Sequence, residues 1–277
     1  VAGGLALATS LAAPATAESN GGVRVMPLGD SITDGITVSG AYRTGLWQRM
    51  ANEGARVDFV GSMYGGPSAL WDRSHEGHSW WRIDQLDANV QGWLRNTQPR
   101  TVLLHIGTND MNQSYQVSSA PQRLSNLIDK IYGVVPNAHV FVATLIPASW
   151  SQQENYSRTY NSAIPGIVQS KASAGRKIHL VDMHSALSTS DLADGVHPNS
   201  NGYDKMAAAW WNAMRQFPDS YQDGVTTSTT TSSGGGGGNG TLVTPGGKCL
   251  GVSGTSNGSS AQIQSCNGSS TQSWSFA

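Results

Sequence analysis

The chain has 277 residues, 13% of them charged, and a formal net charge of −1, so it offers no basic face to hold phosphates and nucleic acid is not an expected partner. Hydrophobic residues make up 38%, and nine residues are Trp. That composition builds a packed core with aromatics left over for flat substrates such as sugar rings, and it excludes disorder throughout.

Residues 1–17 are an uncharged apolar run closing in Pro14-Ala15-Thr16-Ala17, with small residues at the third-last and last positions, as signal peptidase requires. The run reads as the remnant of an export signal cut after Ala17, its start lying upstream of Val1. A buried helix is the alternative. No other stretch approaches the roughly 20 apolar residues of a membrane span, so a secreted, extracellular monomer is expected.

From residue 20 to residue 221, apolar runs suited to buried strands (23–28, 57–60, 101–106, 140–146 and 178–181) alternate with helical patterns (42–52, 83–95, 121–134, 154–174 and 202–217). Such alternation predicts a three-layer α/β/α sandwich with a mostly parallel sheet, whose working site lies at the carboxyl ends of the strands. Residues 223–240 then turn to Ser, Thr and Gly, a composition that buries no apolar surface and reads as a linker. Residues 241–277 form a short tail holding both cysteines, Cys249 and Cys266. An even pair in an exported chain predicts one local disulfide.

Three segments carry candidate chemistry. Gly29-Asp30-Ser31 follows the first strand and places a serine just before a helix, a nucleophile's position; read alone, Ser31 is equally a helix N-cap. Gly107-Thr108-Asn109-Asp110 follows the third strand and offers an amide donor, although both Asn109 and Asp110 also suit tight turns. Asp194-Gly195-Val196-His197-Pro198 precedes the last helix. A carboxylate three residues from an imidazole can hold one ring nitrogen and leave the other to take a proton. Asp182 and His184, after the last strand, are a rival acid and base pair. His75 and His78 have a metal-clip spacing that no Cys, Asp or Glu cluster nearby completes, so no metal is expected. Gly254-Thr255-Ser256-Asn257-Gly258 matches G-x-S-x-G without the strand-turn-helix frame of a nucleophile elbow and reads as a surface turn.

The three blocks, in this order, resemble those of the SGNH hydrolase superfamily, also called GDSL esterases, over residues 23–217. The stretch 24–35, with Val57-Asp58-Phe59-Val60-Gly61-Ser62 and His75-Glu76-Gly77-His78-Ser79, resembles carbohydrate esterase family 3 more narrowly, whose members remove acetyl groups from xylan. The resemblance implies Ser31 as nucleophile, His197 as general base, Asp194 as its orienting carboxylate, and an oxyanion hole made of the Ser31 N–H, the Asn109 amide and the Trp80 N–H. It also implies a reaction without a cofactor, on acetylated polysaccharide or another small ester. Where the family usually has H-S-G, this chain has His78-Ser79-Trp80, so Trp80 is expected either to reshape the acyl pocket or to reduce activity. A lipase or lysophospholipase of the same superfamily is the second reading, and a carbohydrate-binding protein with an inactive hydrolase domain the third. The tail, with its two cysteines and Gln272-Ser273-Trp274, resembles one repeat of a ricin-B-type lectin, a β-trefoil. Gly251 stands where that family often has a sugar-binding aspartate. A trefoil needs three repeats, so the natural chain is expected to continue.

Overall fold

The computed structural model describes residues 21–223, 239–240, 248–253, 260–272 and 274–275. Two compact units divide between Asp223 and Gly224. In the first unit, β1 (Val23–Gly29) is buried along all seven residues, as a strand covered on both faces must be. One edge of β1 pairs in parallel with β5 (Thr101–His105), Met26 opposite Val102 and Gly29 opposite His105. The other edge is shared between two shorter parallel strands: residues 23–25 pair with β2 (Val57–Phe59), and residues 28–29 with β4 (Ser74–Gly77). Pro27, which has no N–H to give a ladder, falls between those two partners. Beyond β5 the sheet continues in parallel through β6 (His139–Ala143) and β7 (Ile178–Val181), while β3 (Met63–Tyr64) lies antiparallel on β4.

Alternation along each strand splits the core into two layers. Met26 and Leu28, Val102 and Leu104, and Val140 and Val142 pack with Leu86, Ile128 and Ile164 of α3 (Ile83–Thr97), α5 (Ala120–Val134) and α6 (Ser151–Ser173). Val25, Leu103 and Phe141 pack with Leu46, Met206 and Trp210 of α2 (Ala41–Asn52) and α7 (Ser200–Met214). Each such aliphatic side chain contributes about 1.5–3 kcal/mol on burial, so the loops at the strand ends stand on a rigid base. The three-layer α/β/α expectation agrees with this sheet. The strand order β4-β1-β5-β6-β7, with β2 also on β1, is doubly wound, and its topological switch point lies between the carboxyl ends of β1 and β5, where such sheets hold ligands.

Element ends shift by a few residues: the run 140–146 leaves the ladder after Ala143, and the last two long helices begin at Ser151 and Ser200. Hydrophobic periodicity does not predict α1 (Ser31–Asp34), α4 (Thr108–Asn112), β3 or β4. All four are too short to show a period, and β4 reads Ser-His-Glu-Gly, a strand because it completes the edge of β1 rather than by propensity.

In the second unit, Lys248–Val252 pairs antiparallel with Ala261–Ser265, and Asn239–Gly240 with Trp274–Ser275. Cys249 and Cys266 are joined by a disulfide. Three of these four strands fall in the tail expected to be one β-trefoil repeat. The rest of that expected repeat, the pentapeptide 254–258 apart from its neighbours, the segment 1–17 and most of the linker 223–240 lie outside the described residues. Among the described residues no helix is long and apolar enough to cross a membrane.

Candidate active site

Gly29 ends β1 under tight packing: a Cβ there would lie 2.3 Å from the His105 carbonyl oxygen and 2.5 Å from Thr33 Oγ1, so a side chain would push β1 away from β5 and from the turn that follows. Asp30 caps that turn by accepting the Ile32 N–H at 3.0 Å. Ser31 is the first residue of α1, which ends after one turn because Gly35 takes φ +94° and donates its N–H to the Ser31 carbonyl. The N-cap reading of Ser31 is thereby corrected, since Asp30 is the cap.

Ser31 Oγ lies 2.9 Å from His197 Nε2, and His197 Nδ1 lies 2.7 Å from Asp194 Oδ2. The other Asp194 oxygen accepts the backbone N–H groups of Val196 at 3.0 Å and His197 at 2.8 Å. Burial pushes this carboxyl up, but hydrogen bonds from the His197 backbone, the His197 ring and the Val196 N–H outweigh it and hold Asp194 below the ordinary carboxylate range. It therefore stays ionised and keeps the His197 ring in one tautomer, with Nε2 free to face the serine. Ser31 is only 2% exposed.

The amide donor comes from the end of β5. Asn109 is buried in α4 and donates one amide hydrogen to the Trp81 carbonyl at 3.0 Å, which leaves its second hydrogen for a ligand. Asp110 ties the same turn to its surroundings: it bonds Arg123 at 2.7 Å and accepts the Ile83 N–H at 3.1 Å, fixing the start of α3 just after Trp80 and Trp81. The residues before Trp80 are held as firmly. Buried Glu76 accepts the backbone N–H and hydroxyl of Ser62, both at 2.7 Å, and pairs with His78 Nε2 at 2.6 Å. The His78 ring stacks on both Trp81 and Trp93, 4.3 and 4.6 Å from their centroids, and Ser79 donates to Asp34 at 2.6 Å.

Between these clamps Trp80 takes φ +71°, the left-handed backbone that glycine adopts freely and that costs another residue on the order of 1–3 kcal/mol. Trp80 thus holds a backbone conformation suited to glycine and carries an indole in addition. That indole is 67% exposed and walls a cavity of about 320 Å³ together with Asn109, Trp150, Val196 and His197. Among the described residues neither the Ser31 nor the Trp80 backbone N–H has a hydrogen-bond acceptor, so both are available beside the Asn109 amide.

The remaining sequence candidates are engaged elsewhere. His184 Nε2 pairs with Glu154 at 3.0 Å and Asp182 accepts the Ser185 N–H at 3.1 Å, so the rival acid and base are each hydrogen-bonded to other groups. Burial pushes His75 down to about 3, and its Nδ1 accepts the Gly77 N–H at 3.1 Å. Sequence reasoning missed the anchoring by Glu76 and Asp110, and it missed Trp150. An isolated tryptophan at a loop end carries no local signal.

Asp30 yields a prediction about stability. Burial raises its carboxyl from 3.8 to about 7, against lowering by the Ile32 N–H and the Thr108 hydroxyl. Between those two values the folded state holds a proton that the unfolded chain has lost, so this contribution is complete below pH 3.8 and vanishes as pH rises through about 7. Asp30→Asn keeps a capping oxygen and does not titrate. Relative to wild type, the variant is expected to gain about 4 kcal/mol of stability between pH 4 and pH 8, measured by urea unfolding at each pH. A difference that does not change with pH would show that Asp30 is ionised throughout.

Serine hydrolases set a hydroxyl, an imidazole and a carboxylate in this series, and the first unit is of that class. The GDSL-like lipase/acylhydrolase family matches residues 28–205, and the chain belongs to that family. A multidomain esterase of Ruminococcus flavefaciens is 32% identical over 226 residues, covering 72% of this chain and 29% of that protein. A putative endoglucanase X of Acetivibrio thermocellus is 39% identical over 132 residues, covering 47% of this chain and 56% of that protein. The chain therefore spans less than two thirds of the length of either relative. Among solved structures, a Clostridium thermocellum family 3 carbohydrate esterase superimposes with a TM-score of 0.64 at 39% identity, over 70% of this chain and 96% of that one. A carbohydrate esterase of family 3 from Talaromyces cellulolyticus gives 0.63 at 33% identity, over 70% and 97%.

Proposed function

We propose that the protein is an exported esterase that removes acetyl groups from a polysaccharide such as xylan through an acyl-Ser31 intermediate. The observation that carries this reading is the continuous Ser31–His197–Asp194 hydrogen-bond series, 2.9 and 2.7 Å long, at the switch point of the sheet. His197 Nε2 takes the Ser31 proton as Oγ attacks the acetyl carbonyl. The negative charge that develops on the carbonyl oxygen is met by the Ser31 N–H, the Trp80 N–H and the Asn109 amide. Collapse expels the sugar hydroxyl, which receives its proton from His197, and water then adds to the acyl carbon by the same route, releasing acetate and restoring Ser31. None of these steps calls on a cofactor.

The cavity supports a small substrate: it measures about 320 Å³, and apart from the Trp80 and Trp150 indoles Val196 is its one apolar side chain. The likeness to family 3 carbohydrate esterases supports a sugar ester. Export rests on the apolar run 1–17 and on the Cys249–Cys266 disulfide, since disulfides persist in oxidising compartments. In this reading, residues 20–221 are the hydrolase domain, 223–240 a linker, and 241–277 a lectin-like tail.

The test is the initial rate on p-nitrophenyl esters from acetyl to palmitoyl, followed by acetate release from acetylated xylan. The expected result is a rate that is highest for acetyl and falls about tenfold or more by octanoyl, one such step corresponding to 1.4 kcal/mol. Preference for long chains would make the protein a lipase, and no hydrolysis of any ester would make it a binding protein.

A further inference from the structure

Trp210 and Trp211 are buried in the core, as their size dictates. Trp80 and Trp150 are not: they are 67% and 51% exposed, and both line the cavity that holds His197 and Asn109. Singly exposed apolar side chains are ordinary, but two large aromatic faces bordering one cavity that also holds a few polar groups are the composition of a binding site. The backbone strengthens this. Trp80 holds its indole at the rim from a left-handed conformation, φ +71°, which a residue with a Cβ keeps only against strain. Trp150 ends the loop after β6, and that loop is joined to the segment bearing Asp194 and His197: the Ser149 N–H donates to the Gly195 carbonyl at 2.9 Å. A Cβ on Gly195 would stand 3.2 Å from Ser149 Cβ and 3.4 Å from Trp150 Cζ2. A ligand lying on Trp150 therefore bears on the segment that carries the imidazole.

The remaining lining residues indicate the ligand's chemistry. The amides of Asn112 and Gln153 face the same cavity, and among the described residues neither has a side-chain hydrogen-bond partner, so they can meet hydroxyl groups. The lining contains no lysine or arginine, which gives no preference for an anionic sugar. Flat apolar faces combined with neutral amides suit a pyranose ring, whose C–H face is apolar and whose rim is hydroxylated. We propose that Trp80 and Trp150 form a neutral-pyranose platform that positions the sugar bearing the ester at Ser31, with Asn112 and Gln153 reading its hydroxyls. The proposal rests on the esterase reading for its purpose, although the platform can be tested without catalysis.

The first measurement is N-bromosuccinimide oxidation of each tryptophan of the full chain, mapped by peptide mass spectrometry, with and without saturating xylohexaose or cellohexaose. Trp71, 86% exposed and outside the cavity lining, is the internal control. Oxidation of Trp80 and Trp150 is expected to slow about fivefold or more with at least one of the sugars while Trp71 is unaffected. Absence of protection by either sugar, or equal slowing at all three positions, overturns the platform. The second measurement compares kcat/KM for an acetylated methyl xylopyranoside with that for ethyl acetate. In Trp150→Ala the ratio is expected to fall about tenfold, mainly through KM, and Trp150→Phe should restore most of it; an unchanged ratio in a folded Trp150→Ala protein overturns the proposal. The two readings fail separately. Protection without any ester hydrolysis keeps the platform and ends the esterase reading, whereas Ser31-dependent hydrolysis without protection does the reverse.

Discussion

Ser31→Ala in the full chain is expected to lower kcat for acetyl ester hydrolysis by about 10⁴- to 10⁶-fold while leaving KM and the melting temperature nearly unchanged. The Ser31 hydroxyl is the group 2.9 Å from His197 Nε2, and its removal takes away the attacking oxygen without disturbing the turn, because the cap of α1 is Asp30 and not Ser31. His197→Ala should lose a similar factor, since a serine hydroxyl with no base beside it is a poor nucleophile. The double variant should be no slower than the worse of the two, because residues that act as one unit are not additive. The check is steady-state kinetics on p-nitrophenyl acetate with circular dichroism on each variant. A folded Ser31→Ala protein keeping more than a few per cent of the wild-type rate would remove Ser31 as nucleophile, and a double variant much slower than either single one would show that the two residues act in separate steps.

Asn109→Ala is expected to lower kcat by about 10²- to 10³-fold, the usual loss for one oxyanion donor, again with little change in KM. Asn109 already gives one amide hydrogen to the Trp81 carbonyl at 3.0 Å, so the variant also loses a structural hydrogen bond, whose net contribution is about 0.5–1.5 kcal/mol. Stability and catalysis separate the two roles. A donor that acts on the developing charge costs rate far beyond any loss of stability, whereas a merely structural residue costs melting temperature and leaves the rate of the folded fraction intact. The three N–H groups are not equivalent. Those of Ser31 and Trp80 belong to the backbone and persist through side-chain substitution, which makes Asn109 the donor that mutagenesis can remove outright.

Much of this arrangement was legible because its signals are local. An apolar run followed at once by a glycine and a polar cluster marks the carboxyl end of a buried strand, and Ser31 and Asn109 each occupy such a place. Asp194 and His197 are three residues apart, so their pairing at 2.7 Å requires no knowledge of the rest of the chain. The alternation of strand and helix patterns sets the three layers for the same reason, since each element displays its own period.

What tertiary structure decided are contacts between segments far apart in sequence. Edge pairing with β1 makes a strand of Ser74–Gly77, which has no strand pattern of its own. Clamping by Glu76, Asp110 and the stacked His78 holds Trp80 in a glycine's backbone and turns its indole outward, an outcome that the side chain by itself opposes. Burial at the carboxyl end of β1 raises the Asp30 carboxyl to about 7, and the meeting of the loops after β4 and β6 around one cavity brings Trp150 beside residues more than forty positions away. Strand and helix patterns, caps and near-neighbour pairs follow from short-range sterics and hydrogen bonding, which the order of residues by itself determines; backbone strain, desolvation and a shared cavity depend on which distant surfaces exclude water from one another, and only the folded chain decides that.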